Sequence, residues 1–198
     1  MKRLVYAGTM LLVLVSTLAC SGGTLPGWLT RGVDIKIVNR SPDVICYVFV
    51  SSSDDDMWGE DQLGEEETID SGSSRVFRLD DGTYDVRVEA CGDVVMATAW
   101  EVASDTTLTI GERDADVRLV LVNDTEIEAC YVLISTASSE DWGDDRLGAH
   151  EIVEPGDRRV FYVEPGIYDL WAGDCDDQVI AEQYTVDLTE DSIWTLED

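Results

Sequence analysis

Cys46-Tyr47-Val48-Phe49-Val50-Ser51, followed by Trp58-Gly59-Glu60-Asp61-Gln62-Leu63-Gly64, decides the fold. The same words return 84 residues later as Cys130-Tyr131-Val132-Leu133-Ile134-Ser135 and Trp142-Gly143-Asp144-Asp145-Arg146-Leu147-Gly148. Working outward at that fixed offset, Asn39 meets Asn123, Gly72 meets Gly156, and Arg75-Val76-Phe77 meets Arg159-Val160-Phe161. Gly82, Tyr84-Asp85, Cys91, Asp93 and Val102 meet their own kind too. About 25 of about 70 positions agree without a gap, which makes the chain an internal duplication. One inserted residue is expected where Ala103–Asp105 face Asp187–Glu190. The copies are expected at 32–112 and 113–198.

Within a copy, runs rich in Val, Ile, Thr and aromatics alternate with Gly, Asp, Ser and Pro at short intervals, the mark of strands and tight connections. The expected strands of the first copy are 33–39, 44–51, 75–79, 83–90, 94–102 and 106–110, with a short piece near Thr68-Ile69. Six or seven short strands and no long helical period predict an all-β protein: two tandem homologous small antiparallel β-sandwich domains. Asp81-Gly82 and Pro165-Gly166 read as hairpin turns with glycine at positive φ. Strict alternation puts Tyr84, Val86, Val88 and Ala90 on the core face and Asp85, Arg87 and Glu89 on the other. The strand around Cys46 is apolar on both faces, so it is expected to be central and doubly covered.

The chain of 198 residues has five cysteines, four of them in two pairs with equal spacing: Cys46 with Cys91, and Cys130 with Cys175. One disulfide inside each copy is the economical reading for an exported protein, worth about 4 kcal/mol per loop in the chain-entropy model. A four-cysteine metal site lacks any close Cys-x-x-Cys pair. Cys20 is left over. It follows Met1-Lys2-Arg3 and the uncharged run 4–19, a basic then apolar segment too short to span a bilayer comfortably. That pattern reads as a signal peptide at 1–19. The end Leu18-Ala19-Cys20 resembles the lipobox of bacterial lipoproteins, which implies that Cys20 is diacylated and becomes the new N-terminus. Residues 20–31, with Gly22, Gly23, Pro26 and Gly27, then read as a lipid-anchored flexible tether.

Other resemblances are architectural. Cys, Trp and Cys occur in each copy as in an immunoglobulin domain, but Trp58 sits in the polar stretch 56–60 and Tyr84 stands seven residues before Cys91. Gly82-Thr83-Tyr84-Asp85-Val86-Arg87-Val88 resembles the Gly-x-Tyr-x-Val-x-Val hairpin of PEGA and transthyretin-like surface modules. The whole repeat resembles uncharacterised modules of bacterial exported proteins, which have no function to lend.

With 42 acidic and 13 basic residues, the formal charge is −29. Phosphate neutralisation requires clustered Lys and Arg, so nucleic acid is excluded as a partner, and an anionic membrane surface would repel the chain. Beyond Lys2 the chain holds one lysine, Lys36; such a surface also suits a saline habitat. The constellation closest to chemistry is the acidic Trp-Gly loop, Asp54, Asp56, Glu60 and Asp61 around Trp58, echoed by Glu140, Asp141, Asp144 and Asp145 around Trp142. It admits three readings: solvated acids with Trp58 and Leu63 folded over the Tyr47 face, Ca²⁺ held by carboxylates, or a sugar or peptide stacked on Trp58 or Trp142. The one histidine, His150, falls opposite Glu66, so imidazole catalysis would exist in one copy alone and His150 reads as a loop residue. No phosphate-binding glycine loop or His-Glu-x-x-His helix occurs, and with so many acids a carboxylate pair carries no information about hydrolysis. Arg75 and Arg159 are expected to pair with acids on the sheet surface. The expected function is a non-catalytic, lipid-anchored extracytoplasmic interaction module for an unknown protein or glycan, without cofactor. A Ca²⁺-binding module is the alternative, and a carboxylate-dependent hydrolase comes third.

Overall fold

The computed structural model describes residues 32–111 and 117–197. The export signal, Cys20 and the tether at 20–31 lie outside the described residues. The first copy supplies β1 (Val33–Asn39), β2 (Ile45–Ser52), β3 (Ser74–Leu79), β4 (Tyr84–Ala90), β5 (Val94–Val102) and β6 (Thr106–Ile110). The second supplies β7 (Val117–Asp124), β8 (Tyr131–Thr136), β9 (Arg158–Val163), β10 (Gly166–Gly173), β11 (Val179–Leu188) and β12 (Ser192–Glu197). The fold is all-β.

In each copy two three-stranded layers enclose a core. The first layer has the order β3-β1-β6, repeated as β9-β7-β12; the second is β2-β4-β5, repeated as β8-β10-β11. Alternation builds the core, with Val33, Ile35 and Ile37 of β1 meeting Val48, Val86 and Val88 from the opposite layer. Leu119, Leu121, Val132 and Leu170 do the same in the second copy. Within each copy pairing is antiparallel except between the first and last strands, β1·β6 and β7·β12, which run parallel because the chain returns to its starting layer in the same direction. Ile35 pairs with Thr106 but Leu119 with Ser192, so the second copy carries two extra residues before its last strand, where the sequence alignment suggested one.

Asn39 and Asn123 show why that residue recurs. Each is fully buried, its amide donating to two carbonyls (Asp43 and Ile69; Ile127 and Val153) while Oδ1 accepts from Ser41 or Thr125. A buried amide with its bonding capacity filled costs little and fixes the loop around it. Disulfides join Cys46 to Cys91 and Cys130 to Cys175, with Cα atoms 5.0 Å apart in both. They link neighbouring strands of one layer, and disulfides of this kind belong in an oxidising, extracytoplasmic compartment.

Three local expectations are corrected. Gly82 and Gly166 are absent from the positive-φ residues, and β3 and β4 lie in different layers, so the turn is an interlayer crossing and not a hairpin. Glycine gives room there, since a Cβ would sit a tight 3.1 Å from the Tyr84 or Tyr168 ring, which folds back so that its hydroxyl donates to the carbonyl of Asp80 or Glu164. β2 is an edge strand, not a central one. The outer face of β4 is not solvated either, since Asp85 and Glu89 are buried.

Both copies belong to one compact unit. β5 and β9 meet side by side through Val95 and Arg159, which merges half of each copy into a six-stranded sheet, β12-β7-β9-β5-β4-β2. Val120 and Val160 of the second copy thereby enter the core of the first.

Candidate functional site

The Trp-Gly loop is first a device for closing an edge. Asp61 accepts at Oδ1 from the backbone N–H of Val48 at 2.9 Å and of Leu63 at 3.0 Å, and Gln62 donates to the Val48 carbonyl at 2.8 Å. Asp145 repeats this with Val132 at 2.9 Å and Leu147 at 3.2 Å, and Arg146 donates to the Val132 carbonyl at 2.8 Å. Leu63 and Leu147 are sunk into their cores, and Gly64 and Gly148 turn the chain at φ 71° and 74°. The shared pattern Trp-Gly-x-Asp-x-Leu-Gly is thus accounted for from Asp onward: a carboxylate satisfies the donors of an edge strand, a leucine anchors, and glycine permits the left-handed turn.

Of the eight acids offered as metal ligands, Asp61 and Asp145 are committed to backbone donors, while Asp54, Asp56, Glu60, Glu140, Asp141 and Asp144 are exposed. Among the described residues no three of these carboxylates bring their oxygens within 4.8 Å of one another. The set that does, Glu128 with Cys130 and Cys175, has both sulfurs in a disulfide. A Ca²⁺ ion needs six to eight oxygens, and in this arrangement the loop carboxylates point to solvent or to backbone donors.

The tryptophans lead elsewhere. Trp58 is half-buried beside Trp100 of β5, ring centroids 5.4 Å apart, with the Arg87 guanidinium 6.0 Å from the Trp58 ring. Arg87 is held by the nearly buried carboxylate of Glu89. On the far side of Trp100, 6.2 Å away, lies His150 from the second copy. These rings and Ile152 wall a groove of about 400 Å³ where the copies meet, with Asp56, Glu154 and Asp157 at its polar margin. Beneath the groove, Thr98 and Glu151 of its lining join a buried hydrogen-bond network. Arg159 is buried and donates to Glu151 Oε1 at 2.6 Å and to the carbonyls of Met96 and Val160, while Thr98 donates to Glu151 Oε2 at 2.7 Å. Arg159 is therefore not a surface ion pair, because β5 covers it; Arg75 is one, 3.0 Å from Glu67 and half-exposed.

A second lock lies nearby. Tyr162 donates to Asp43 Oδ2 at 2.8 Å, and Arg118 Nε lies 2.8 Å from the same oxygen. Burial above all holds the Tyr162 phenol well above its ordinary pKa; the hydrogen bond and charge of Asp43 add to this, while Ser41 and Arg118 pull the other way. Trp142 has its own aromatic partner, Tyr184 of β11, at 6.0 Å, in a smaller hollow of about 200 Å³ with Ser135, Asp141 and Asp169. Trp100 and Tyr184 are 84 residues apart, so an aromatic at this position was available to the sequence comparison as a signal. The part played by His150 was not, because it depends on how the copies dock.

Together the fold and the groove define an all-β, disulfide-stapled protein with an aromatic recess at the seam of its two halves. No family model matches the chain, and no curated protein matches it. Among solved structures, the Bacillus anthracis TIE protein is similar at a TM-score of 0.29 and 10% identity, over 83% of this chain and 33% of that one.

Proposed function

We propose that the chain is a non-catalytic, lipid-anchored extracytoplasmic interaction module whose recognition surface is the Trp58–Trp100–His150 groove, and that its ligand is a glycan. The observation that carries this reading is the groove's construction: flat aromatic faces at 5.4 and 6.2 Å centroid spacing, with carboxylates and Arg87 around them. Sugar rings offer an apolar face to an indole and hydroxyls to surrounding carboxylates and guanidinium, and a mostly preformed recess binds without a large ordering cost. Lipid attachment at Cys20 is supported by arithmetic, since the other four cysteines are taken by two disulfides.

Tryptophan fluorescence of the full chain in detergent, titrated with neutral, acidic and amino-sugar oligosaccharides, tests the groove. At least one class is expected to shift emission saturably, with Trp100→Ala weakening the response about tenfold or more, a loss of about 1.4 kcal/mol. No response from any class, or one indifferent to Trp100, would overturn the assignment. Incorporation of labelled acyl chains, lost in Cys20→Ser, tests the anchor.

A further inference from the structure

The seam between the copies joins the outer edge of one repeat's β5 to the outer edge of the next repeat's β9. Because the second half of the sequence repeats the first, the counterparts of both edges are present and, among the described residues, unpaired. The counterpart of β5 is β11, an open edge of its layer, and that of β9 is β3, also an open edge. The backbone of β11 even carries the same bulge as β5: Thr185 at φ 56° and Glu101 at φ 54° sit at equivalent positions, each N–H bonded at 2.8 Å to an aspartate, Asp169 or Asp85. We infer that a second copy of this chain docks here, β11 of one molecule against β3 of the next, in the register of Val95 on Arg159. The paired positions are then Val179 and Arg75.

Exposure supports this placement. Val76, the counterpart of the fully buried Val160, is 40% exposed, and Val179, the counterpart of the buried Val95, is 55% exposed. Tyr184 and Ile127, which correspond to Trp100 and Asp43 of the internal seam, are also among the exposed large apolar side chains. Charge on the β3 edge is mixed, with Arg78 3.8 Å from Asp34 and Arg75 3.0 Å from Glu67, while β11 presents Glu182 and follows Asp176 and Asp177.

The contact is weaker than the internal one. The lock of Asp43, Tyr162 and Arg118 has Ile127, Arg78 and Asp34 as counterparts, and the Thr98–Glu151 hydrogen bond becomes Glu182 opposite Glu67. Such a heterologous contact repeats from molecule to molecule, giving a filament, or a ring if the rotation closes. An edge strand left open is otherwise a liability, and this contact gives both edges a use.

The test mixes two pools of full chain in detergent, one carrying Arg75→Cys and the other Val179→Cys, under mild oxidation. Both positions are exposed, so neither substitution disturbs the core. Mixed pools are expected to form a disulfide-linked dimer roughly tenfold faster than either pool alone, since docking raises the effective concentration of the two thiols. Equal rates in mixed and separate pools overturn the inference; self-linking of the Val179→Cys pool alone overturns it in favour of a two-fold edge contact. As a second reading, the sedimentation-average mass of the unsubstituted chain is expected to rise with concentration, and Val76→Asp to abolish the rise. A chain that stays monomeric up to about 1 mM has no such contact.

Discussion

Arg75-Val76-Phe77 and Arg159-Val160-Phe161 are the same tripeptide in the same strand of two copies, and they lead different lives. The first lies on an open edge, with Arg75 half in solvent and Val76 bare. The second is roofed by β5, with Val160 fully buried and the Arg159 side chain 10% exposed. An ion pair at the surface is worth little, whereas a buried one cannot lose a partner without stranding the other. The comparison teaches that in a duplicated chain the role of a residue is set by which copy of a surface found a neighbour.

The largest effect that would break this contrast concerns the two arginines. Arg159→Ala leaves Glu151 buried with only Thr98 as donor and is expected to cost about 3–5 kcal/mol in chemical denaturation, against about 1 kcal/mol or less for Arg75→Ala. Equal losses would mean that the seam does not hold in solution. Next come the edge caps, where the copies should agree: Asp61→Ala and Asp145→Ala each release two backbone donors and should cost about 2–3 kcal/mol. Asn at either site keeps an acceptor and should recover part of the loss, which separates hydrogen bonding from charge.

Tyr162 sharpens the contrast through pH. Its folded pKa is raised, so the fold favours the neutral phenol. That contribution is fully present below about pH 10, where the unfolded phenol is also neutral, and is lost as pH rises through the folded value. Urea midpoints of the unsubstituted chain should therefore fall more steeply above about pH 10 than those of Tyr162→Phe, which should lose about 1 kcal/mol at neutral pH. The smallest expected effect is that of Ca²⁺. With no three loop carboxylates converging, millimolar Ca²⁺ at matched ionic strength should move the melting midpoint no more than Mg²⁺ does, by about 1 °C or less. A saturable Ca²⁺-specific rise would restore the metal reading of Asp54, Asp56 and their counterparts.

Much of the fold was legible because it rests on local rules. Alternation in 84–90 marked the core face, and equal cysteine spacing marked the disulfides. The Trp-Gly loop was recognisable as special, but its chemistry stayed open between solvated cap, metal and a stacked ligand, since composition does not reveal that Asp61 faces the N–H of Val48, 13 residues away in the chain. The apolar double face of 45–50 suggested a central strand because a loop folded along an edge hides side chains as well as a neighbouring strand does.

The sequence by itself determined the repeat at an offset of 84 residues, the all-β class, the covalent framework and the core face of a strand such as 84–90, because periodicity and spacing act over a few residues or repeat at a fixed interval. Tertiary structure alone decided that β5 would meet β9, that Trp100 and His150 would share a groove, and that one Arg-Val-Phe would be buried and the other left open. Those outcomes depend on contacts between residues fifty or more positions apart and on which of two equivalent edges came together, and no local pattern distinguishes them.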